Sequence, residues 1–196
     1  MAKLPQTTYT ADSPQSFITG AGIIVYDFDI KKLTFNTFGA TNGAKVELKT
    51  NLTQLEIDGI LSTPVGGDII ESAEGTMEVN LLEGTLENIK MALIGADLTI
   101  EGVTGVKAIR PKGRVEVADY IKGLAHISTL QNGDKLVIVF DNAIPTEGLS
   151  LEPKDGETNA LIVKFSARAN ADSIDDASLP VTVYNLPKDY QPNPSL

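Results

Sequence analysis

The chain contains no cysteine and no tryptophan, and its only histidine is His126. Without cysteine there is no thiol nucleophile, no disulfide framework, no thiolate zinc site and no iron–sulfur cluster. One histidine cannot build a multi-histidine metal centre. Without tryptophan the commonest platform for stacking on sugars is missing. Positive charge is also scarce: 16 Lys and Arg stand against 26 Asp and Glu, a formal net charge of −10. Tight nucleic-acid binding by phosphate neutralisation is therefore not expected. No apolar run approaches the ~18 residues of a membrane span, and the opening MAKLPQTTYTADSPQ lacks the apolar core of a secretory leader. The expectation is a soluble product made in the cytoplasm.

What is present describes a globular chain. Its 196 residues, 42% hydrophobic and 21% charged, favour one domain. A fold of that size buries about 70% of the surface its unfolded chain exposes and needs no covalent staple. The acidity is uneven. Residues 51–101 hold ten acids and one base, Lys90, so a quarter of the chain carries nearly all the net charge. Such a stretch reads either as a solvated acidic face or as a surface built for repulsion.

Period-two alternation dominates, the signature of half-buried strands. Val46 and Leu48 alternate with Lys45, Glu47 and Lys49; Leu55 and Ile57 with Gln54, Glu56 and Asp58; Met77, Val79 and Leu81 with Thr76, Glu78 and Asn80. Further strands are expected at Ile23–Asp29, Leu98–Gly102, Arg114–Ala118, Lys135–Phe140, Ala160–Ala169 and Val181–Tyr184. Asn42-Gly43, Asp58-Gly59, Gly66-Gly67, Asn132-Gly133 and Asp155-Gly156 supply tight reversals between them. One segment keeps helical spacing: Leu86, Ile89 and Leu93 follow an N-cap at Thr85, Glu87 favours the positive end of the dipole, and Gly95 offers a left-handed stop. A helical turn around Ala118–Ala125 is the weaker expectation. The fold class is thus mainly β: an antiparallel sandwich or barrel-like domain over residues 21–186 with one flanking helix at about 85–94. Extended arms at 1–20 and 187–196 complete it.

Between strands, Ile60–Ser72 is longer than a hairpin needs. Its Ile60, Leu61, Val65, Ile69 and Ile70, around Pro64, Gly66 and Gly67, read as a loop that covers its own core or a neighbour. Chemistry-bearing motifs are weak. His126 has Ser128 two residues on but no strained nucleophile turn, and reads as a packed or surface histidine. Gly20-Ala21-Gly22 precedes a strand where a dinucleotide site needs a strand before and a helix after; it reads as a turn. Asp172, Asp175 and Asp176 cluster without the spacing or glycine of a calcium loop. No cofactor or metal is expected. A basic stretch, Lys107, Arg110, Lys112 and Arg114, is either a solvated edge that resists stray strand pairing or a patch that meets the acidic quarter of another copy.

Three stretches together resemble the major tail tube proteins of long-tailed bacteriophages. They are Gly39–Leu48 with the strand ending Glu56-Ile-Asp-Gly59, then Met77–Gly95, in which a strand passes through Leu-Glu-Gly-Thr-Leu-Glu-Asn into the helix, and finally Ala160–Ala169 leading to Asp172–Pro180. The resemblance spans most of residues 20–185. It implies a non-enzymatic virion subunit, synthesised and assembled in the host cytoplasm. Hexameric rings of it would stack into a tube for double-stranded DNA, with terminator, distal tail and tape-measure proteins as partners. By the same likeness Ile60–Ser72 and the N-terminal arm reach the next ring, and polar strand faces line the bore. Glu47, Glu56, Asp58, Glu74, Glu78 and Asn80 are the candidate lining, since carboxylates repel phosphates. The alternatives are a β-sandwich ligand-binding or cell-surface binding module, which needs a concave aromatic patch, and a hydrolase using two acids.

Overall fold

The computed structural model describes residues 10, 13–56, 58, 62, 64–100, 104–151, 153, 155, 159–170 and 180–192. Ten strands and one α-helix are formed among them: β1 (Ile18–Asp29), β2 (Thr34–Thr37), β3 (Thr41–Gln54), β4 (Asp68–Leu81), α1 (Leu86–Leu93), β5 (Gly95–Leu98), β6 (Ala108–Pro111), β7 (Ile121–Leu130), β8 (Lys135–Leu151), β9 (Leu161–Arg168) and β10 (Val181–Leu186). The fold is mainly β, a curled antiparallel sheet ordered β2-β1-β7-β8-β9-β4-β3, with β10 also on β8 and a separate β5-β6 ribbon.

The curl follows from β8, which is eleven residues longer than its sequence pattern implies. Its first part pairs with β10 (Phe140 opposite Val181) and its second with β9 (Asn142 opposite Arg168), so two strands share one edge in succession. A bulge between Pro145 and Leu149, with Gly148 at φ 69°, absorbs the proline that a regular central strand could not hold. The main core lies inside the curl. Met77, Val79 and Leu81 of β4, Val163 and Phe165 of β9, and Phe140 of β8 are buried there with Leu124 and Phe38. Val25, Ala125, Val137 and Val139 form a second cluster.

α1 lies against the main core through Ala92 and Ile89. Thr85 caps it as expected, accepting from the Asn88 N–H at 3.2 Å. The left-handed stop falls one residue earlier than expected, at Ile94 (φ 51°), and Gly95 opens β5. A Cβ at Gly95 would sit 3.4 Å from the Lys90 backbone, an ordinary contact.

Other sequence expectations shift in instructive ways. The alternation over Ala44–Thr50 and Gln54–Asp58 predicts two strands, whereas β3 runs unbroken to Gln54, with Ile57 outside the described residues. Asn42-Gly43 is a bulge inside β3, not a reversal: Gly43 has φ 82° where the register slips between Thr41 and Ala44. Gly20-Ala21-Gly22 is likewise a bulge within β1, and β1 begins at Ile18, inside the stretch expected as an arm. Arg114–Ala118 is not a strand. Lys112 draws in Glu116 and Asp119, curling this segment into a 3-10 turn at Val117–Asp119, after which β7 starts inside the Ala118–Ala125 stretch where the sequence suggests a helical turn. Of the strand expected at Leu98–Gly102 only Leu98 is strand, as the last residue of β5; Thr99 and Ile100 are not, and residues 101–102 lie outside the described ones. Gly59, Gly156 and Asp172–Asp176 lie outside the described residues.

Candidate functional site

The first feature is a projecting arm. Along β4 only Thr76–Leu81 pairs with β9, whereas Asp68–Gly75 pairs with β3 alone. The far half of the β3–β4 hairpin thus extends past the sheet as a two-stranded ribbon. Part of the expected long loop is therefore strand, because Asp68–Ser72 opens β4. At the turn Gly67 N–H donates to Pro64 O at 2.9 Å and Leu55 N–H to Gly67 O at 2.7 Å, with Gly66 at φ 91°. Cross-strand bonds from Asn51 to Ser72 and from Thr53 to Glu71 brace the ribbon.

The face that carries the core alternation continues outward along this arm. Leu48, Leu52 and Ile70 lie on it and are 41%, 60% and 59% exposed. Val65 at the tip is fully exposed, and Ile69 half so, on the opposite face. Ile60 and Leu61 lie outside the described residues. An isolated two-stranded ribbon is marginal in water, and a run of bare apolar side chains marks a contact surface. The same region is uniformly acidic, since residues 50–89 contain no base; Glu56, Asp58, Asp68, Glu71 and Glu74 are all exposed.

The second feature is the outward face of β3, β4 and β9. Glu47, Glu74, Glu78 and Asn80 share it, as alternation requires, but Glu56 and Asp58 lie beyond the end of β3. The lining expected from sequence therefore divides between a sheet face and the arm. Nor is the sheet face a wall of carboxylates. Glu78 stands in register between Lys45 and Lys164, and Glu74 opposite Lys49. Lys45 meets Glu47 at 2.9 Å and Lys49 meets it at 3.7 Å. Lys164 binds Glu147 at 2.5 Å. The hydrogen bond from Lys45, then the charges of Lys45 and Lys49, hold the Glu47 carboxyl below its ordinary range; the bond to Glu147 pushes Lys164 up. The lysines at 45 and 49 were legible in the alternation, whereas the approach of Lys164 depends on a pairing 86 residues away in sequence that no local pattern encodes.

The third feature is a groove of about 690 Å³ between the end of α1 and the 3-10 turn, lined by Tyr26, Met91, Ile94, Val117, Tyr120 and Ile121 among others. None of the basic stretch lines it: Arg110 is in register opposite Ala96, next to Gly95 of the lining, and Lys107 lines a separate pocket with Leu98 and Val106. Lys112 is consumed internally by Asp119 at 2.6 Å and Glu116 at 3.0 Å. Lys107, Arg110 and Arg114 are exposed and have no ion pair among the described residues. His126 sits between Ala21 O, 3.2 Å from Nε2, and the Ser128 hydroxyl, 3.3 Å from Nδ1. Ser128 is buried, so it presents no nucleophile to a substrate. Among the described residues no three acidic or histidine side chains converge as a metal site would need, and no helix is long and apolar enough to cross a membrane.

No protein-family model matches the chain, and no curated protein matches it. Among solved structures it is similar to a chain of the virion of a native gene transfer agent (GTA) particle, with a TM-score of 0.41 and 7% sequence identity. The overlap covers 76% of this chain and 92% of that one. At that overlap and identity the likeness carries no assignment of function.

Proposed function

We propose that this chain is a structural subunit of a phage tail tube, self-assembling into stacked hexameric rings that conduct double-stranded DNA. It catalyses no reaction. The observation that carries the reading is the arm: a ribbon that leaves a complete core, keeps the apolar face of the sheet and exposes it. A monomeric protein gains nothing from bare Leu52 and Ile70, whereas a subunit that reaches its neighbour buries them. The resemblance in the tail-tube stretches supports the same reading, as do the capped helix and the long hairpin that those stretches form.

The bore is the outward face of β3, β4 and β9. Its resistance to DNA comes from pairing rather than from bare negative charge. Each lysine there is held by a carboxylate, so a phosphate must displace that carboxylate to gain contact. A face with little net positive charge offers little counterion release, the main drive for DNA adhesion. Terminator, distal tail and tape-measure proteins are the partners that the resemblance supplies.

Sedimentation and negative-stain microscopy of the purified protein test the proposal. Expected are rings or long hollow tubes, and conversion to a folded subunit of about 20.9 kDa when residues 64–69 are deleted. Tubes of normal length from the deleted protein contradict the role given to the arm.

A further inference from the structure

The arm needs a receptor, and the structure assigns one on a second copy of this chain: the groove beside α1. The inference rests on the tube reading and goes beyond it by naming the surface that receives the arm. The two surfaces are complementary in kind. The arm offers Leu48, Leu52 and Ile70 on one face, with Asp68 on that same face and Glu71 at the adjoining bulge. The groove offers apolar walls, Met91 and Ile94 on one side and Val117 on the other. Val117 is 86% exposed, far more than a valine beside an available wall needs to be.

Charge makes the match specific. Two acids line the groove: Asp119 is ion-paired with Lys112, and Asp27 accepts from the Asn36 amide at 2.9 Å and keeps its charge. Of the cations, Lys90 of the lining is held by Asp97 at 2.6 Å, and three others near the groove have no ion pair among the described residues. Lys122 lines the groove and is exposed. Arg110 stands opposite Ala96, next to Gly95 of the lining, and Arg114 lies in the short link that leads to the 3-10 turn. The outer part of the arm, beyond Lys49, is acidic with no base, and thus faces an apolar slot with the exposed cations Lys122, Arg110 and Arg114 near it. Arm and groove are different surfaces of one chain, so the contact is heterologous, the kind that joins copies head to tail into a ring or a filament.

Two charge-reversed chains test this. Asp68→Lys with Glu71→Lys gives a basic arm and keeps the basic rim; Arg110→Glu with Arg114→Glu gives an acidic rim and keeps the acidic arm. Each alone sets like charge against like and is expected to stay monomeric, with an unchanged circular dichroism spectrum, where the parent chain sediments as polymer. Mixed one to one they restore both contacts, and polymer returns. Either variant polymerising alone as the parent does, or the mixture remaining monomeric, overturns the assignment. Leu52→Asp with Ile70→Asp tests the apolar half and is expected to abolish polymer in every mixture; polymer from that variant also counts against it. A parent chain that never polymerises instead removes the tube reading itself, so the two failures are distinguishable.

Discussion

The side-chain amide of Asn88, in α1, donates to the carbonyl of Phe38 at 2.8 Å, across fifty residues of sequence, and to that of Glu83 at 2.9 Å. Asn88 is 5% exposed, so this one side chain satisfies two loop carbonyls where water has little access. It pins the helix to the turn between β2 and β3. Asn88→Ala is expected to cost about 1–3 kcal/mol, the penalty of leaving buried acceptors unpaired. Thr85→Ala, which removes only the cap, costs about 1 kcal/mol. Urea unfolding of both variants gives the order, and a larger loss for Thr85→Ala contradicts it.

Gly123 has φ 53°, and a Cβ there would lie 2.8 Å from both the nitrogen and the oxygen of Phe28. Both atoms belong to the backbone of β1, which cannot step aside. Gly123→Ala should therefore destabilise by about 2 kcal/mol or more. Gly113 has open space around it and no positive φ, so Gly113→Ala should be neutral or stabilising by up to about 1 kcal/mol. Thermal unfolding of the two variants distinguishes them; equal melting temperatures contradict the packing described.

The Lys112–Asp119 pair gives stability a pH signature. The hydrogen bond from Lys112, then the Glu116 backbone N–H, hold the Asp119 carboxyl below its ordinary 3.8. The bonds to Asp119 and Glu116 push Lys112 above its ordinary 10.5. A depressed acid stabilises the fold above its unfolded value, and that stability is lost as pH falls through the folded value. The raised lysine behaves in mirror fashion, stabilising below 10.5 and losing that effect as pH rises further. Asp119→Asn should accordingly melt below the parent at neutral pH, with the gap closing below about pH 4. A gap that stays constant down to pH 3 contradicts the pairing.

Pairing on the sheet face predicts a change in DNA adhesion. The parent chain should show no measurable binding to duplex DNA at about 0.15 M salt. Glu47→Lys with Glu78→Lys releases Lys45 and Lys49, leaves Lys164 on Glu147, and adds two further cations. That variant should bind duplex in fluorescence anisotropy, with an affinity that falls steeply as salt rises. No binding at any ionic strength contradicts the restraint attributed to Glu47 and Glu78.

Much of this architecture was legible in the chain. Alternation around Val46, Val79 and Val163 marked strands that each bury one side, and Thr85, Leu86, Ile89 and Leu93 marked the helix. What escaped was set by partners distant in sequence. β8 runs through Asp141, Asn142 and Pro145, residues that look like a strand end, because β9 and β10 both pair with it and a bulge accommodates the proline. Thr34–Thr37 gave no signal, since all four residues of this edge strand are exposed. Lys112 hid the 3-10 turn, because the ion pairs that curl residues 112–119 depend on side-chain reach rather than periodicity. The arm was half visible: its apolar residues were plain, but the continuation of β4 to Asp68 rests on the register with Gln54.

The most direct measurement is an electron cryo-microscopy reconstruction of the polymer at side-chain resolution. The account predicts a hollow tube whose bore is lined by Lys45, Glu47, Glu78 and Lys164, with α1 away from the lumen. A bore lined by α1, or a protein that remains a single 20.9 kDa subunit at every concentration, contradicts it.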